Sequence, residues 1–187
     1  MEHPPRRRQV LIILAIAAAF RPSFCLAQDK GTYQEEADRL AVLLEWQPTS
    51  TVADIGAGHG QLTLAAAKRV GKIYSTELED KLVTNLQHAC CDSIFMRSVY
   101  HHLTKPLEID ASFFRALKPG GLLAVIDEEP PPNTSPPEGV PKNRGGHGMP
   151  QKLLVEELTS AGFQEVKIVD DWWSNYGYCA VFRKPTL

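Results

Sequence analysis

The sequence predicts a three-layer α/β sandwich around a mostly parallel sheet, finished by a C-terminal antiparallel hairpin. Three observations carry that expectation. Residues 51–77 parse as buried strand, glycine turn, amphipathic helix, second strand and terminal carboxylate, which is half of a mononucleotide-binding unit. Residues 91–98 and 122–127 are further short apolar runs, the second preceded by a helical pattern, as buried parallel strands with crossovers require. Residues 164–169 and 178–182 flank the turn-forming Ser174-Asn175-Tyr176-Gly177, which sets two strands antiparallel at the sheet edge. With 187 residues, 43% of them hydrophobic, the chain has apolar content for one core. A net charge of −2, interspersed charges and no basic run beyond the first ten residues point away from nucleic acid as partner.

Residues 1–27 stand apart from the domain expected over 28–187. Arg6, Arg7 and Arg8 precede an apolar run at 10–20, too short to span a bilayer comfortably and suited to an export signal. Cys25-Leu26-Ala27 supplies small residues for cleavage before Gln28. An exported chain, periplasmic or secreted, is therefore expected. An uncleaved segment would act as a membrane anchor, and a misassigned start would leave the protein cytoplasmic. Residues 29–32 read as a mobile leader. Residues 33–46 read as an amphipathic helix, with Ala37, Leu40, Ala41, Leu43 and Leu44 on the apolar side, polar residues including Glu36 between them, and Pro48 ending it.

The first strand, 51–55, runs into Gly56, Gly58 and Gly60, which permit a backbone reversal and close approach of a ligand. A helix over 61–70 would pack through Leu62, Leu64, Ala65 and Val70, and a strand over 72–76 follows. Glu77 comes about twenty residues after Gly56, the spacing at which a carboxylate meets ribose hydroxyls. The glycines alternate and do not make a GxGxxG fingerprint. Asp54 would repel a pyrophosphate but suits a cationic ligand.

After the strand at 91–98, His101 and His102 lie at its carboxyl end, where open α/β sheets bind ligands. They are candidate catalytic residues that orient a substrate or take its proton; the alternative is one helix-capping and one solvated histidine. A helix over 107–117 packs through Ile109, Phe113, Phe114 and Leu117, and Lys118-Pro119-Gly120-Gly121 ends it before the strand at 122–127. Residues 130–150 are rich in proline, with Gly145, Gly146 and Gly148 as hinges; they read as a substrate lid carrying Arg144 and His147, or else as a plain surface loop. A helix over 151–161 follows, and Trp172 and Trp173 are expected to cover the hydrophobic end of the hairpin. Of four cysteines, Cys25 would leave with the signal. Cys90, Cys91 and Cys179 suggest no disulfide framework. No metal site is expected, since His88, Cys90, Cys91 and His101 match no standard zinc ligand set.

The run Val52-Ala53-Asp54-Ile55-Gly56-Ala57-Gly58-His59-Gly60 resembles the first motif of class I S-adenosylmethionine-dependent methyltransferases, and Lys118-Pro119-Gly120-Gly121 resembles the turn before their fifth strand. The resemblance covers roughly residues 35–185 and is nearest to small-molecule enzymes of the ubiquinone-biosynthesis type. It implies a Rossmann-like sheet in the order 3-2-1-4-5-7-6 and S-adenosylmethionine as cofactor. Asp54, Gly56, Ala57, Gly58 and Gly60 would hold its methionine part, Glu77 its ribose, and a small-molecule methyl acceptor would enter beside His101, His102 and the lid. Glu79-Asp80-Lys81 resembles the start of the family's second helix, yet the next strand opens at Cys91. An internal deletion after Lys81 is therefore expected to have removed the third, edge strand and the acidic side chain that meets adenine. Asp92 opens the next strand and cannot replace it, so a weakened adenine pocket is expected. Two rivals stand beside this reading. One is a non-catalytic remnant or interaction module. The other is a nicotinamide-dependent oxidoreductase, against which Asp54 counts.

Overall fold

The computed structural model describes residues 27–77, 88–173 and 175–186, with side chains from residue 33 onward. The expected export signal and the expected deletion after Lys81 lie outside the described residues. In chain order the described elements are α1 (Ala27–Leu43), β1 (Thr51–Ile55), α2 (Gln61–Ala66), β2 (Lys72–Thr76), β3 (Cys91–Arg97), a 3-10 turn (Tyr100–His102), α3 (Pro106–Ala116), β4 (Leu117–Glu128), α4 (Gln151–Ser160), β5 (Gln164–Asp170) and β6 (Gly177–Arg183).

The strands form one sheet in the order β2-β1-β3-β4-β6-β5. β2, β1, β3 and β4 are parallel, and β6 runs antiparallel to both β4 and β5. This is the expected order without a third strand: among the described residues β2 is the edge, and its Lys72 and Ser75 are exposed. Side-chain alternation then separates two apolar layers. Ala53, Ile55, Ile94, Met96, Leu123 and Val125 face Phe113 of α3 and Leu154 and Leu158 of α4. Val52, Phe95, Ala124 and Ile126 face Leu40 of α1 and Leu62 of α2 on the other side. Burial on both faces is why these strands read as continuous apolar runs rather than alternating ones.

Several local expectations are corrected. The supposed leader at 29–32 is helical and belongs to α1. α2 stops at Ala66, where a three-residue bond from Arg69 N to Ala66 O (2.9 Å) tightens the chain into a turn. Its buried face is Leu62, Ala65 and Ala66, while Leu64 points to solvent, 70% exposed. Lys118-Pro119-Gly120-Gly121 is not a separate turn but a bulge within β4: Cys91 pairs with Leu117 and Ser93 with Leu122, so the extra residues loop out of register. Carbonyls at the carboxyl end of α3 and at the start of β4 are instead held by Lys184 Nζ, at 2.6 Å from Phe114 O and 2.8 Å from Leu117 O.

Glu36, one of the polar residues between the apolar positions of α1, is 5% exposed. It accepts a 2.7 Å bond from Trp172 Nε1 and a 3.0 Å bond from Arg97 Nε, and Arg39 stacks 3.5 Å above the Trp172 ring. Trp172 therefore does cover the hairpin end, and it does so by docking on α1 rather than by burial alone.

Candidate functional site

β1 delivers Asp54 and Ile55 to the carboxyl edge of the sheet, and the chain then reverses through Gly56, Gly58 and Gly60, all at positive φ. At Gly56 the requirement is double. Its φ is +71° and a Cβ there would stand 2.5 Å from Val99 Cγ2. The reversal is stitched to the end of β2 by Gly56 N and Ala57 N, which both donate to Thr76 O (2.7 and 3.0 Å). Asp54 is 3% exposed and accepts a 2.5 Å bond from Thr63 Oγ1 of α2. Burial pushes its carboxyl up to about 6, and the charge of Glu77 adds to that, against the Thr63 bond. Glu77 itself is exposed, just past Thr76, whose buried Oγ1 has no hydrogen-bond partner. The residues expected to hold a cofactor therefore meet at the carboxyl ends of β1 and β2, with Thr63 and Thr76 as neighbours that spacing alone did not single out.

A second group sits one strand away. Ser98 takes a left-handed backbone (φ 54°) and turns the chain from β3 into the 3-10 turn that carries His101 and His102. His101 is buried, and its Nδ1 lies 2.8 Å from Asp127 Oδ1 at the end of β4. Asp127 is fully buried and also accepts from the backbone N–H of His101 (3.3 Å) and of Glu128 (2.9 Å). Neither histidine caps the following helix. His102 is half-buried with its ring 4.1 Å from that of His101; burial first, then the neighbouring His101 and His147, hold it below the usual histidine range. His147 reaches this pair from the loop, its ring centroid 5.9 Å from His101 and 5.6 Å from His102. Asp127 was not among the candidate site residues read from the sequence. Its signal was present, as the first carboxylate after an apolar strand, at the end where ligands bind.

The loop at 130–150 is corrected in two ways. Arg144 faces inward: it is 2% exposed, pairs with Glu157 at 2.6 Å and donates to Tyr100 O at 3.2 Å, so it anchors the loop. The glycines are not hinges. A Cβ at Gly145 would stand 2.1 Å from Pro130, at Gly146 2.4 Å from Thr134, and at Gly148 2.5 Å from Glu128 O. They are small because the loop is packed down. The weighed cluster of His88, Cys90, Cys91 and His101 does not form either, since Cys91 opens β3 at its amino end and His101 follows its carboxyl end. Asp92 lies at that amino end too, bonded to Thr51 N (2.7 Å) and Lys118 Nζ (2.6 Å). A cleft of about 390 Å³ lined by Asp92, Lys118 and Gly121 opens there, away from the glycine turn.

No protein-family model matches the chain. A 49-residue segment, 26% of this chain and 17% of the relative's length, is 41% identical to ribosomal RNA small subunit methyltransferase A of Dehalococcoides mccartyi, so the match spans under a fifth of that protein. Solved structures align over most of the chain. The 1,6-didemethyltoxoflavin-N1-methyltransferase of Burkholderia thailandensis, crystallised with 1,6-didemethyltoxoflavin and S-adenosylhomocysteine, superposes with TM-score 0.64 at 17% identity, over 84% of this chain and 80% of that one. A SAM-dependent methyltransferase from Aquifex aeolicus gives 0.56 at 21% identity, over 83% and 98%. The chain has the Rossmann-like fold of the class I methyltransferases. The same fold also carries a different reaction, since the [4+2]-cyclase SpnF superposes with TM-score 0.60 at 16% identity, over 82% of this chain and 81% of its own.

Proposed function

We propose that the chain binds S-adenosylmethionine and transfers its methyl group to a small molecule. The observation that carries this reading is Asp54, a buried carboxyl beside a glycine reversal, pushed up to about 6 by burial, at a site that a cation would relieve. S-adenosylmethionine is cationic at both its sulfonium and its ammonium. Asp54 and the backbone from Gly56 to Gly60 would hold its methionine part, and Glu77, beside the unpartnered Thr76 hydroxyl, its ribose. His101 and His102 would orient the acceptor one strand away. Holding a nucleophile in line with the methyl group supplies most of the acceleration this reaction needs.

The remnant reading rests on the short interval after Lys81, and the oxidoreductase reading is disfavoured by Asp54. The ribosomal RNA methyltransferase match raises RNA as an acceptor, but a net charge of −2 gives no electrostatic footprint for a polyanion. Calorimetric titration of S-adenosylmethionine into the full chain tests the proposal, with Asp54→Ala and Glu77→Ala alongside. Micromolar binding weakened at least tenfold in both variants supports it; no binding by a folded protein overturns it. Export through residues 1–27 is a separate proposal, checked by N-terminal sequencing of the chain recovered outside the cytoplasm.

A further inference from the structure

We infer that His101, His102 and His147 together bind one divalent transition-metal ion of the zinc, cobalt or nickel type. One ring nitrogen from each of the three comes within 4.8 Å of the others. Imidazoles bound to a tetrahedral zinc at ~2.0–2.1 Å stand about 3.3 Å apart, a closure that side-chain rotations at the half-buried His102 and the exposed His147 would make.

Three features distinguish this group from a chance meeting of histidines. First, Asp127 bonds His101 Nδ1, which fixes the proton there and leaves the Nε2 lone pair for a ligand. A buried carboxylate behind a histidine is how protein metal sites orient and strengthen their imidazoles. Second, His147 is held from both sides. Gly146 N donates to Thr134 Oγ1 at 2.9 Å, and Met149 N donates to Glu128 O at 2.8 Å. Tyr178 OH pins Met149 O at 2.6 Å as well. Third, the ligand set is all imidazole, with residues from two separate segments, and imidazole suits zinc, nickel and cobalt better than calcium or magnesium. Three protein ligands leave a coordination position free, as in catalytic rather than structural sites. That position would orient an acceptor oxygen or sulfur and make it more acidic. This last consequence rests on the methyltransferase reading; the metal site does not.

The test is titration of cobalt(II) into the metal-free full chain, read by visible absorption and by equilibrium dialysis. The expected result is one ion per chain with the intense absorption of a four- or five-coordinate site. His147→Ala should weaken binding at least tenfold, and Asp127→Asn roughly 10–100-fold through the loss of its support for His101. Circular dichroism of each metal-free variant establishes that it is folded, and His147, being exposed, is the substitution the fold tolerates best. A spectrum no different from aqueous cobalt(II), or binding undiminished in a His102→Ala, His147→Ala double variant, would overturn the inference. S-adenosylmethionine calorimetry on the same metal-free samples separates the two proposals. Cofactor binding without metal binding sinks only the metal site, and metal binding without cofactor binding sinks only the proposed function.

Discussion

At Asp54 the folded chain holds a proton more tightly than the unfolded chain, because burial lifts the carboxyl from 3.8 to about 6. A carboxyl raised in this way contributes its full stability below about pH 4, and that contribution is lost as pH rises through 6. Asp54→Asn should therefore gain on the wild type by roughly 2–3 kcal/mol between pH 4 and pH 7, read from urea unfolding at each pH. A parallel pH profile for the two proteins would show that the carboxyl is not perturbed. Cofactor affinity should move the other way, rising with pH until Asp54 is ionised and levelling above about 6. Gly56 presents a steric and a conformational constraint at once. Gly56→Ala is expected to cost roughly 1–3 kcal/mol through the clash with Val99 and the positive φ. Adding Val99→Ala should return the steric part only, so a complete rescue in the double variant would contradict the assigned φ.

The loop after β4 is tied down by a buried network. Tyr100 OH lies 2.9 Å from both Asp110 Oδ2 and Glu157 Oε2, and one hydroxyl proton cannot serve two carboxylates. Burial pushes the Asp110 carboxyl up to about 7, against the Tyr100 bond, which makes Asp110 the carboxylate of this pair that takes up a proton as pH falls through neutrality. Arg144 closes the chain at Glu157. Removing the guanidinium strands a carboxylate and a backbone carbonyl, and breaking a buried pair from one side typically costs about 3–5 kcal/mol. Arg144→Met should lower Tm by on the order of 10 °C and open residues 130–150 to limited proteolysis. Unchanged cleavage would mean that the loop is held by its glycine packing alone. Asp110→Asn should be tolerated near pH 7, because burial already disfavours the charged carboxylate there.

Across the whole molecule, contacts far apart in sequence close the sandwich. Glu36 and Trp172 are 136 positions apart, and their 2.7 Å bond joins α1 to the hairpin. Trp172→Phe keeps most of the apolar packing but leaves Glu36 with Arg97 alone, and a loss of about 1–3 kcal/mol is expected in thermal unfolding. Much of this architecture was legible beforehand. Apolar runs, glycine positions and turn residues marked the strands, the bounds of β1 and β2, the antiparallel edge and the glycine reversal after β1, because these depend on local backbone preference and on burial of both sheet faces. Partners were not legible. Arg144 and His147 belong to the same loop and carry similar polarity, yet one is sealed against Glu157 and the other joins His101 and His102, 46 and 45 positions earlier. The burial of Glu36 was not legible either, because helical periodicity says which side of a helix is apolar, not which distant tryptophan will cover the boundary. The amino-acid sequence by itself determined the order of elements and the glycine reversal with its carboxylates. Only the tertiary structure decided which buried charges are paired and that three histidines converge beside Asp127, since those choices depend on side chains meeting across strands, where distance along the chain carries no information.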